Sequence, residues 1–129
     1  MTSESFPGSH GGSVLVGAPE GPTLGDERAA LDLIGEALGC GAEVVAVPVE
    51  RVSEDFFSLR SGLAGEIVQK FVNYGIRLVI VGDISPHLAG SQALRDFVGE
   101  ANRGGQVWFV ATPKELDERL RQQHSRSGR

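Results

Sequence analysis

What this chain has little of narrows its class before any motif is sought. It holds one cysteine, Cys40, so no disulfide can form within it. Cationic residues are outnumbered, 12 Lys and Arg against 17 Asp and Glu. The resulting net charge of −5 argues against affinity for a nucleic-acid backbone, which needs clustered Lys and Arg. No apolar run approaches the roughly 20 residues that cross a bilayer. The opening MTSESFPGSHGG has neither the basic start nor the apolar stretch of a secretory signal. The expectation is a cytoplasmic protein with no nucleic-acid and no membrane partner.

Catalytic signatures are missing too. Histidine is scarce and scattered, and His10, His87 and His124 are too far apart in the chain to suggest a metal site. Cys40 has no cationic neighbour to activate it and reads as an inert structural thiol. There is no nucleophile elbow, no P-loop Gly-Lys-Ser/Thr and no GxGxxG fingerprint. No cofactor and no metal are expected, and a non-enzymatic role fits better than an enzymatic one.

What is present is a regular alternation of helix and strand. Forty per cent apolar and 22 per cent charged residues are ordinary for a globular chain, and 129 residues make one domain. Val14-Leu15-Val16 reads as a short strand after a polar segment, residues 1–12, expected to be a disordered tail. Asp26 can cap a helix whose apolar positions, Ala30, Leu31, Ile34, Ala37 and Leu38, recur at three and four. Gly39 and Gly41 end it. Val44 to Val47 is a strand without polar alternation, as expected when both faces are covered. A second helix is predicted from about Ser58 to Tyr74, with Leu63, Ile67, Phe71 and Tyr74 inward and Glu66 paired to Lys70 outside.

Leu78 to Val81 is the most hydrophobic strand. Ser91 caps a third helix with Leu94, Phe97, Val98 and Ala101 inward. Val107 to Val110 follows, and Thr112-Pro113-Lys114-Glu115 reads as a near-complete capping box for a last helix running to about Gln123. The predicted fold is a single compact α/β domain over residues 13–123, a mainly parallel four-stranded sheet with four helices and right-handed crossovers. Residues 124–129 form a mobile tail.

In such sheets ligands bind beyond the carboxyl ends of the strands. Glu50 and Asp83 fall there and could act as an acid–base pair or hold a cation, although Asp83 could equally cap its own loop. Ser85 lies in the same loop. Arg60, with Gly62 and Gly65, opens the second helix, where an anion could sit, although glycines at that spacing also permit close packing. The ligand-binding candidates are therefore Glu50, Arg60, Asp83 and Ser85. Arg95, Asp96, Glu100, Asn102 and Arg103 line the outer face of the third helix, either as a solvated face or as a partner-binding surface.

The blocks DFFSLRSGLAGEIVQKFVNYGIRLVIVGDIS and LRDFVGEANRGGQVWFV resemble the signature blocks of the bacterial Domain of Unknown Function family 4180, and ALDLIGEALGCGAEVVAVPVERVSEDFF fits its first half. The resemblance spans about residues 13–121. It implies the α/β fold and no activity, and places motif positions at Asp55, Phe56, Phe57, Gly62, Asn102 and others. Members usually begin with a longer paired-strand segment than Val14–Val16, and Gly105 stands where a basic residue is common. The layout is STAS-like or flavodoxin-like, by analogy only.

Two functions follow as expectations. One is a regulatory module that docks a protein partner through a helix face. The other is a small-ligand or nucleotide-phosphate site at the strand ends. An exposed edge strand at Val14 or Val107 would make a homodimer feasible.

Overall fold

Strand order decides the architecture. The structure, a computed structural model, describes residues 3–6, 14–18 and 20–127, and the side chains of 14–18 and 20–122. Five strands line up in the order of the sequence: β1 (Ser3–Phe6), β2 (Val14–Gly17), β3 (Val44–Pro48), β4 (Arg77–Val81) and β5 (Val107–Val110). From β2 to β5 all pairings are parallel, whereas β1 lies antiparallel on β2, with Phe6 opposite Val14 and Ser3 opposite Gly17.

β1 falls within the stretch expected to be a tail, and it supplies the paired-strand opening that the sequence seemed to have lost. The other residues of 1–13 lie outside the described ones, as do 128 and 129 of the expected C-terminal tail.

Parallel neighbours laid down in sequence order require each crossover to step the same way, so crossovers of one hand place their helices on one face. Two separate cores bear this out. Leu15, Val45, Leu78 and Val107 stand in register, and with Val47, Ile80 and Phe109 they pack against α1 (Glu27–Cys40), α3 (Leu63–Asn73) and α5 (Gln92–Arg103). The alternate strand residues Val14, Val44, Ala46, Val79, Trp108 and Val110 point the other way. They meet Leu116 and Leu120 of α6 (Pro113–Ser127). The short helices α2 (Glu54–Phe57) and α4 (Ser85–Leu88) sit in the connections after β3 and β4.

Three predicted caps form as expected. Asp26 accepts the Ala29 N–H at 2.8 Å and Ser91 that of Leu94 at 3.2 Å. Thr112 accepts the Glu115 N–H at 3.1 Å, while the Glu115 carboxylate accepts the Ala111 N–H at 2.9 Å, one residue further back than the usual capping box.

Other helical expectations need correction. In α1 the buried positions are Ala30, Leu33, Ile34 and Ala37, whereas Leu31 is 40% and Leu38 54% exposed. Ala30 and Ala37 centre the buried face with Leu33 and Ile34 on either side, which turns Leu31 and Leu38 about 100° away from it. The predicted helix over 58–74 is broken: Leu59–Ser61 is a 3-10 turn, and α3 starts only after Gly62, at φ 75°. Tyr74, expected inside, is 51% exposed. Its place in the core goes to Ile76, which Gly75 (φ 69°) turns back toward the sheet. Lys70, expected to pair with Glu66, reaches Glu27 of α1 at 3.9 Å.

Candidate functional site

The carboxyl ends of the strands are closed by tight turns. After β2 the chain runs to Leu24, which pairs with Val52 in an isolated parallel bridge. The Leu24 N–H donates to the Arg51 carbonyl at 2.6 Å, and the Ser53 N–H donates to the Leu24 carbonyl at 3.2 Å. After β3 a 3-10 turn, Val49–Arg51, lies against Gly82 at the end of β4. A Cβ on Gly82 would come within 2.5 Å of the Val49 side chain, and its φ of 142° also favours glycine. Gly82 N–H in turn donates to the Val110 carbonyl of β5 at 2.9 Å.

The order never reverses along the parallel strands, so the crevice that opens at a switch point in doubly wound sheets has no counterpart among them.

The four ligand candidates are all on the surface there. Glu50, Arg60, Asp83 and Ser85 are exposed. The Asp83 carboxylate accepts the Ser85 N–H at 2.9 Å, an Asx turn that explains its place in the loop. Hydrogen bonds from the Ser85 hydroxyl and then its N–H hold the Asp83 carboxyl below the ordinary carboxylate range. Arg60 rides on the 3-10 turn rather than on a helix N-terminus. The donor at that start is used locally, since Leu63 N–H donates to the Ser61 hydroxyl at 3.1 Å. Neither glycine of that segment serves close packing: a Cβ at Gly62 or Gly65 would meet nothing within 4 Å, and Gly62 is explained by its φ instead. Among the described residues no group of three His, Cys, Asp or Glu could hold a metal ion. Cys40 is exposed at the end of α1, its thiol donating to the Ala37 carbonyl at 3.6 Å.

Next to Glu50, the residue that matters to the structure is Arg51. It is 3% exposed and is the one charged or polar residue buried among those described. Its Nε donates to the Pro22 carbonyl at 2.8 Å and its Nη1 to that of Ala18 at 3.3 Å, pinning the β2–α1 connection. Gly17 makes room for it, because a Cβ there would run into Nη1. Burial lowers the guanidinium's pKa, and the charge of Glu36 opposes that. No one-dimensional signal marks Arg51, since its partners lie 29 and 33 residues away.

A second contact joins the two connections. The His87 ring of α4 stacks on Phe57 of α2, 3.9 Å between centroids and 12° between planes. Phe57 also meets Phe56 edge-on, and Phe56 leans on Phe109 of β5. The motif phenylalanines are thus packing residues.

The α5 candidates divide. Arg95, Asp96, Glu100 and Arg103 are exposed along one strip at helical spacing. Gln92 donates to Asp96 at 2.9 Å and accepts from Arg95 at 3.0 Å, and Arg103 lies 3.8 Å from Glu100. Such exposed pairs contribute little to stability. Asn102 is different. It is half-buried, and its side-chain oxygen accepts the Phe109 N–H at 2.7 Å. It therefore belongs to the sheet rather than to an open surface.

Below it, Trp108 is 2% exposed and donates to the Gly104 carbonyl at 2.8 Å. The guanidinium groups of Arg77 and Arg119 lie 4.3 and 4.0 Å from its ring centre, within cation–π range. Arg77 Nε donates to the Gly105 carbonyl at 2.6 Å and Arg119 Nη2 to that of Asn102 at 2.7 Å. The signal available in the sequence was the sole tryptophan on an apolar strand.

The family described as Domain of unknown function (DUF4180) matches residues 9–120. No match was found among curated proteins or among solved structures. With its helix-strand order intact across that match, the chain belongs to the DUF4180 family.

Proposed function

We propose that this chain is a non-enzymatic regulatory module that docks a protein partner through the exposed strip of α5. The observation that carries this reading is a contrast of surfaces. Glu50, Arg60, Asp83 and Ser85 are exposed on short turns over a closed sheet end, and two of them are used by the turn itself. Arg95, Asp96, Glu100 and Arg103 instead project from one side of a rigid helix whose other side, Leu94 and Val98, is buried in the core. Arginine on such a strip suits an anchoring role at an interface. A STAS-type docking module is the fold-level analogy for this reading.

We place the module in the bacterial cytoplasm, on its single cysteine and its family. Self-association through strands would not use Val14, because β1 covers the β2 edge and is itself the outermost strand on that side.

The test is partner capture from the source cell with wild-type protein and with Arg95→Glu/Arg103→Glu. Circular dichroism should match for the two. Loss of specific partners in the double variant, and their retention in a Glu66→Lys control on α3, supports docking through α5. An identical partner set for wild type and double variant overturns it.

A further inference from the structure

Three large hydrophobic side chains are exposed among the described residues: Leu31 at 40%, Leu38 at 54% and Tyr74 at 51%. They share one face. Leu31 and Leu38 stand at i and i+7 on α1, a single strip of that helix. Lys70 of α3 lies 3.9 Å from Glu27 of α1, which sets the two helices side by side. Both are crossovers between parallel strands and run the same way, so one turn further along each, from Glu27 to Leu31 and from Lys70 to Tyr74, brings Tyr74 beside Leu31. Tyr74 caps α3, and Leu38 carries the patch past its end.

Gly35 lies at the middle of the strip, at i+4 from Leu31 and i−3 from Leu38. It is exposed, and a Cβ on it would meet nothing within 4 Å. Glycine inside a helix is destabilising relative to alanine, and no described neighbour requires the missing side chain. What it leaves is a notch between two leucines.

Two knobs and a notch on one strip fit a second copy of that strip. We propose that this chain forms a two-fold homodimer through the α1–α3 face, with antiparallel α1 helices crossing at Gly35. Leu31 of each copy then falls opposite Leu38 of the other, and the backbones close on the bare glycines. The charges match as well. α1 has no basic residue in its last turn. Arg28, exposed at i−7 from Gly35, meets the carboxyl-terminal turn of the other copy's α1, where the helix dipole favours a cation. α5 lies on the far side of α3, so its strip stays open and its docking role is independent of this contact.

The test is light scattering of the full chain, with disulfide trapping. The wild type should run as a single species of twice 13.7 kDa. Leu31→Glu/Leu38→Glu, at exposed positions, should halve that mass and leave circular dichroism unchanged. Gly35→Gln, which suits a helix better than glycine, should also yield monomer and so separates loss of the interface from loss of the fold. A cysteine on a two-fold axis meets its own copy. With Cys40→Ser and oxidised glutathione as oxidant, Gly35→Cys should cross-link at least about tenfold faster than Glu118→Cys on α6, across the sheet, because its thiols are held together rather than meeting by diffusion. A wild type of 13.7 kDa overturns the proposal and leaves the face to a different protein. A dimer that survives Leu31→Glu/Leu38→Glu overturns it, as do equal cross-linking rates at the two positions.

Discussion

The side-chain oxygen of Asn102 occupies a backbone donor of the outermost strand, accepting the Phe109 N–H at 2.7 Å. Among the described residues β5 has no neighbour on that side, and the next outward donor, Ala111 N–H, is taken by the Glu115 carboxylate at 2.9 Å. Unpaired strand donors are templates for pairing with another chain, and side chains here stand in for a sixth strand. Asn102→Ala should cost about 1–3 kcal/mol, the usual effect of orphaning a buried donor. It should also bring concentration-dependent association. Asn102→Asp, which keeps the acceptor, should stay monodisperse. Urea unfolding together with sedimentation at two concentrations separates the outcomes.

Two glycines should respond in opposite directions to alanine. Gly65 lies in α3 with nothing within 4 Å of a Cβ, so Gly65→Ala should gain about 0.5–1 kcal/mol from helix propensity. Gly82→Ala meets Val49 at 2.5 Å and forces alanine to φ 142°, and should cost about 2 kcal/mol or more. Chemical denaturation of the pair is the check.

Asp83 predicts a pH dependence with a definite sign. Its carboxyl is held below the ordinary range by the Ser85 hydroxyl and N–H. A depressed native value means stability that is present above the unfolded pKa, about 3.9, and is lost as pH falls through the lower native one. Asp83→Asn should therefore flatten the fall of the unfolding midpoint as pH drops below about 3.9, leaving other acid-labile groups to set what slope remains. Urea midpoints measured at half-unit steps for both proteins would show it.

Trp108 is the only tryptophan and reports on α6 directly. Arg119 lies 4.0 Å from its ring centre and donates to Asn102. Arg119→Ala should cost about 1–2 kcal/mol, red-shift the emission and speed amide exchange in α6 first. Arg119→Lys should recover only part of this, because an ammonium cannot stack as a guanidinium does. Emission spectra and residue-resolved exchange decide it.

Local chemistry was legible in the sequence, and long-range chemistry was not. Asp26, Ser91 and Thr112 cap what they were expected to cap, because a cap is made by residues two or three apart. The four parallel strands were found for a similar reason, as apolar runs bounded by glycine and proline. Helical phase was harder: Leu31 and Leu33 fit a three-and-four spacing equally well, and only the packed sheet decides that Leu33 goes inside. Site residues fared worst. Glu50 looked functional by its place after a strand, while its neighbour Arg51 is the one that folds inward onto carbonyls of Ala18 and Pro22. Asn102 read as surface because helical periodicity cannot show that a strand edge runs beside it.

Strands added in the order of their synthesis have a consequence for the nascent chain. Each new strand can dock on the one just made, with little chain left to wander between them and a modest entropy cost per step. Such growth is always one strand short of closure, and the newest edge stays adhesive until something covers it. The cover for β5 arrives from both sides in time: Asn102 emerges before the strand and Glu115 after it. A nascent chain that had emerged only as far as Val110 would present a nearly finished sheet whose last edge was only half protected.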